Sequence, residues 1–112
     1  MPKSFYDLKS RNDIHDWDLP DDYEHLTDEK KAFLCEWVSD NFIARKTPNR
    51  SHTSYGLKHY FEHDRGGFYI TNGQFKGAML RCDFYPADEG AKNWVFCISQ
   101  KSPVFQKGIM PI

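Results

Sequence analysis

The chain has 112 residues, 39% apolar and 16% aromatic, with a formal net charge of -1. That length suits one domain with a single core, and the aromatic content excludes a disordered chain. No apolar run nears the roughly 20 residues that span a bilayer. The N-terminal MPKSFYDLKSRND has no apolar signal-peptide core, so a cytoplasmic protein is expected.

Residues 1–26 read as an acidic N-terminal arm. Asp13, Asp16, Asp18, Asp21, Asp22 and Glu24 fall within twelve positions without a sustained apolar period. Trp17, Leu19 and Tyr23 are the residues that would pin such an arm to the body. The remainder, 27–112, reads as one domain.

The first helix is predicted over 28–44. Thr27 is a suitable N-cap, and Asp28 and Glu29 occupy the first turn, where the helix dipole favours anions. Phe33, Leu34, Trp37, Val38, Phe42 and Ile43 are spaced three and four apart, which makes one buried stripe. Pro48 lies in the loop beyond the helix end. A second helix is predicted over 53–63, with Phe61 on its inner face. Gly56 weakens it by up to about 1 kcal/mol relative to Ala, which implies a close approach by another helix. Asp64-Arg65-Gly66-Gly67 is turn chemistry, and 68–70 is long enough for one short strand. Thr71 caps a third helix over 72–82, with Phe75, Ala78, Met79 and Cys82 facing inward.

Strands are expected at 84–86 and 93–99, the latter from the alternation of Trp94, Phe96 and Ile98. The expected fold class is α+β: three helices with a small antiparallel β-sheet, winged-helix-like. Trp37, Phe42, Phe61, Phe75, Met79 and Phe96 should form its core. Cys35, Cys82 and Cys97 show no C-x-x-C pairing and read as reduced, mostly buried thiols.

Charge follows this division. Residues 1–44 carry five Lys/Arg against eleven Asp/Glu, whereas 45–81 carry seven against two. The basic stretch coincides with the helix–turn–helix, as a nucleic-acid reader requires; short windows of surface charge also cluster by chance. The pattern YITNGQFKGAML…DFYP…NWVFCIS resembles the C-terminal winged-helix modules of phage and plasmid primases and replication proteins. The block HTSYGLKHYFEHDRGGFYITNGQFKGAML is also similar to small proteins carried by bacteriophages and mobile elements. The helix–turn–helix pattern and its basic charge give the expectation of a small phage or mobile-element winged-helix protein that binds double-stranded DNA in a regulatory role.

In that reading Asn72, Gln74, Lys76 and Arg81 form the groove-facing side of the third helix, able to pair with adenine or guanine edges. Arg45, Lys46, Arg50 and Lys92 would contact phosphates, which position a protein without reading sequence. The plainer reading of these residues is the solvated face that any amphipathic helix has. A rival reading uses the acidic arm. Its carboxylate row, Asp13 to Glu24, could occupy the DNA-binding groove of a host defence nuclease, as an anti-CRISPR type inhibitor does.

A third reading is metal-independent RNA cleavage by His52 and His59 with Lys58 as the cation. His59-Tyr60-Phe61-Glu62-His63 also fits H-x-x-E-H, the inverted zincin pattern. Downstream acidic residues lack the spacing for a third ligand, and two surface imidazoles explain the match equally well. The stretch TNGQFKG is not a phosphate-binding loop. No enzyme activity, metal or cofactor is assigned.

Overall fold

The computed structural model describes residues 14–108, so the expected contribution of Asp13 lies outside the described residues. Three α-helices are present there: α1 (Asp28–Asn41), α2 (Ser54–His63) and α3 (Asn72–Arg81). Three short 3-10 turns, Asp16–Asp18, Pro20–His25 and Pro103–Phe105, complete the regular structure.

The helices start where capping chemistry directs. Thr27 accepts a hydrogen bond from the Lys30 backbone at the head of α1. Thr71 and Gln74 form a reciprocal capping box on α3: Gln74 N donates to Thr71 Oγ1 at 3.0 Å and Thr71 N to Gln74 Oε1 at 2.9 Å. Thr53 precedes α2 but makes no side-chain cap. Trp37, Phe42, Phe61, Phe75, Met79 and Phe96 are all buried, joined by Leu34, Val38, Leu57, Ile70, Trp94 and Ile98. Edge-to-face ring contacts run through this core, among them Trp37–Phe61 at 5.2 Å and Phe61–Phe68 at 5.0 Å.

Among the described residues the expected sheet is absent, and with it the winged-helix-like α+β architecture; the regular structure there is helical. The 93–99 segment does alternate, with Trp94, Phe96 and Ile98 buried. However, its neighbours run beside it for too short a distance to form a ladder. Ala44 and Ile98 make one isolated antiparallel bridge, Pro86 and Phe96 another. Pro86 has no N–H to extend the second bridge. On the other side, Asn49 N bonds to Phe96 O at 2.8 Å and Ser54 N to Trp94 O at 2.7 Å, after which the chain turns into α2. The backbone at 94–99 is thus satisfied by loops. No strand forms at 68–70 either: Ile70 is buried, while Tyr69 is 74% exposed.

The acidic segment packs on the body. Its Pro20–His25 turn lies along α3, and Tyr23 is buried. Two glycines permit this approach. A Cβ on Gly73 would lie 2.0 Å from Leu19 O, and one on Gly77 would lie 2.3 Å from Tyr23 Cβ and 2.7 Å from Pro20 O. Gly56, expected to mark a close approach, has nothing within 4 Å of its Cβ position. Helix α3 is therefore the central element: seven of its ten residues are buried.

Candidate functional site

The packing of 14–26 on α3 changes the surroundings of the residues expected to read DNA. Asn72 is 4% exposed. Its side-chain oxygen accepts from Ser54 Oγ at 2.7 Å. Its two amide hydrogens face three acceptors at 3.0 Å: Asp18 Oδ1, Lys92 O and Asn93 Oδ1. Gln74 serves the capping box. Lys76 is 2% exposed, donates to Asp18 O at 2.7 Å, and sits 4.8 Å from the Trp94 ring centroid. Burial pushes the Lys76 ammonium down to about 8, against the favourable charge of Asp18 and with help from Lys92. Arg81 pairs with Glu24 and lies over the Tyr23 ring. The groove-facing set is thus engaged within the chain.

The phosphate-contacting set fares differently. Arg45, Lys46 and Arg50 are exposed on the loop that borders the 94–99 segment, tied to it by Arg45 N–Cys97 O at 3.0 Å and Asn49 Nδ2–Gln100 Oε1 at 3.0 Å. Lys101 is exposed beside the same loop. Arg45 donates to Thr47 O and Pro48 O, both at 2.9 Å, so its guanidinium shapes the loop. No carboxylate forms an ion pair with these four residues among the described residues.

The acidic row is dispersed. Asp18 is buried and accepts from His15 N and Asn72 Nδ2. Asp22 accepts from Thr71 Oγ1 at 2.6 Å and bonds to His25 Nδ1. Glu24 pairs with Lys31 and Arg81. Asp16 and Asp21 alone of the described members are exposed without such a partner.

A cleft of about 570 Å³ opens where the acidic segment, α2 and the link into α3 meet. Trp17, Tyr55 and Tyr69 line it from three separate segments and are 55%, 51% and 74% exposed. Lys58 sits between two of these rings, 5.4 Å from the Tyr55 centroid and 4.9 Å from that of Tyr69. The buried cation therefore fixes where both rings sit at the cleft wall, with one face of each turned to the ammonium. Its charge is met by Glu62, whose Oε2 accepts from Lys58 Nζ at 2.8 Å and from Ile70 N at 3.1 Å. The other Glu62 oxygen bonds to His59 Nδ1 at 3.0 Å. Lys92 and Asn93 are exposed at the rim.

Two members of the H-x-x-E-H pattern take part in this network. His59 and Glu62 bond directly to one another, and the His59 and His63 rings lie 6.3 Å apart. No group of three or more His, Cys, Asp or Glu gathers to hold a metal among the described residues. His52 does not share the cleft with His59. It stacks on Phe105 at 4.2 Å and bonds to Gln100, and burial lowers its pKa.

No family model, curated protein or solved structure matches the chain. No helix among the described residues is long and apolar enough to cross a membrane.

The cleft brings together Asn72 and Lys92 from the expected nucleic-acid set and Asp18 from the expected protein-binding set. Its aromatic members lay outside both. Tyr55, Tyr69 and Trp17 read as ordinary side chains in sequence, because nothing in their spacing shows that three segments converge.

Proposed function

We propose that the protein is a nucleotide-binding module that takes a nucleobase into the cleft, free or within a single strand. One observation carries this reading: three exposed aromatic side chains from separate segments face one cleft. Aromatic rings on a polar surface lose the chance of burial unless a partner covers them. A flat heteroaromatic ring is the partner whose faces stack on theirs and whose edge finds hydrogen-bonding groups, here Asn93 and the His59–Glu62 pair.

Charge supports the same class. The lining is balanced in charge, since Lys58 and Lys92 match Glu62 and Asp18. Lys92 at the rim is then the cation available to a phosphate. The volume of about 570 Å³ lies within the range of small-molecule sites. The basic loop of Arg45, Lys46, Arg50 and Lys101 offers further, sequence-blind contacts to a strand that leaves the cleft. A duplex reader would need the edge of α3 that Asn72 and Lys76 have turned inward, so stacking is favoured over groove reading.

Titrating the Trp17 signal with AMP, a ten-nucleotide oligo-dA and the matching duplex tests this. AMP and the single strand should both saturate, and the strand should outcompete the duplex. Tyr69→Ala should weaken either by about fivefold or more, since stacking one base contributes about 1–3 kcal/mol. Equal affinity for AMP and strand identifies a nucleotide site; a much tighter strand identifies single-stranded nucleic acid. Binding by neither at 50 mM salt overturns the reading, as does preference for the duplex.

A further inference from the structure

We infer that His59 is the specificity-determining residue of the cleft, selecting rings that carry an N–H donor on their edge. The inference rests on the nucleobase reading above and adds the feature of the base that is recognised.

His59 lines the cleft, and its Nε2 is buried without a hydrogen-bond partner. Asn41 Oδ1 is the other such side-chain atom among the described residues. A buried polar atom left unpaired costs about 1–3 kcal/mol, so Nε2 is poised to gain a partner. The direction of that bond follows from the other side of the ring. Nδ1 lies 3.0 Å from the Glu62 carboxylate, which can only accept. The shared proton is therefore on Nδ1, and in the neutral ring Nε2 presents a lone pair. An occupant that satisfies it must donate.

Glu62 is itself held. Its second oxygen is fixed by Lys58 Nζ and by the backbone N–H of Ile70, so the carboxylate cannot rotate away and release the tautomer. The same Lys58 orients Tyr55 and Tyr69, which couples the stacking surface to the polar contact. Nε2 is closed from solvent, so an occupant must displace a neighbour to reach it. Two rings pack against His59: Tyr55, at a 4.7 Å centroid distance in a T-shaped pair and half exposed, and His63, at 6.3 Å.

The test compares AMP with purine riboside 5′-monophosphate, which has the same ring, sugar and phosphate but lacks the amino group. The wild-type protein should bind AMP about five- to tenfold more tightly, the worth of one hydrogen bond to an otherwise unpaired buried atom. His59→Phe keeps a flat ring and loses Nε2, so it should bring the two ligands within about twofold. The wild-type ligand comparison needs no variant and stands even if His59→Phe folds poorly. Equal binding of the two ligands to wild type overturns the role of His59 and leaves the nucleobase reading intact. Binding of neither ligand overturns both. A preference for AMP that survives in a folded His59→Phe protein assigns the selection to another residue and overturns this inference.

Discussion

Replacing Gly73 with Ala should unseat the acidic segment, while Gly56→Ala should stabilise the fold. The Gly73 Cβ would sit 2.0 Å from Leu19 O and 2.8 Å from Leu19 C and N, all backbone atoms. Ordinary contact begins near 3.4 Å, so the 14–26 segment must recede by about 1.4 Å. A shift of that size breaks the bond from Lys76 Nζ to Asp18 O and that from Asn72 Nδ2 to Asp18 Oδ1. Each is worth about 1 kcal/mol, and overpacking adds about 1–3 kcal/mol. Better helix propensity returns up to about 1 kcal/mol. The net loss is about 2–4 kcal/mol, a fall in Tm of roughly 10 °C for a chain of this size. At Gly56 the added methyl meets nothing, so only the propensity gain of up to about 1 kcal/mol remains. Urea and thermal denaturation of the two variants give the signs. A Gly73→Ala protein as stable as wild type would refute the packing of the acidic segment on α3.

Lys76 makes stability depend on pH. Its ammonium loses its proton near 8 in the folded protein and near 10.5 when unfolded, so between these values the unfolded chain binds more protons and stability rises with pH. From pH 8 to 9 the Lys76 contribution should be a gain of about 1 kcal/mol by urea denaturation, partly offset in the same window by Cys82 and above it by Tyr23, whose raised pKa values act in the opposite direction. Lys76→Met should flatten that rise; a wild-type stability that falls across the window would contradict the burial of a charged Lys76. Thr71→Ala removes both the capping oxygen and the partner of Asp22, and should cost about 1–2 kcal/mol in the same assay. No measurable cost would show that the capping box adds nothing.

The helices were legible because their signals are local. Thr27 and Thr71 cap as their positions imply, and the spacing of Leu34, Trp37 and Val38 marks the buried side of α1. The sheet was not legible, because the alternation of Trp94, Phe96 and Ile98 reports burial on one side and says nothing about a pairing partner. Loops supply that partner here. Lys76 and Asn72 read as solvent-facing because they are polar, whereas both are buried beneath a segment more than 50 residues earlier in the chain. A signal for that contact was present: Gly73 and Gly77 stand one turn apart on the side of α3 that carries Lys76, and small residues at that spacing admit another backbone. The convergence of Trp17, Tyr55 and Tyr69 had no comparable signal. Exposed aromatics look alike in sequence whether they scatter or meet.

Two-dimensional NMR of the labelled protein titrated with AMP tests the central claim most directly, since it locates the ligand as well as detecting it. Saturable shifts should appear at the Trp17 indole, the Tyr55 and Tyr69 rings, the His59 imidazole and the Lys92–Asn93 backbone, with little change at Trp37. Shifts confined to Arg45, Lys46 and Arg50, or no saturable shifts, would contradict the assignment of the cleft as a nucleobase site.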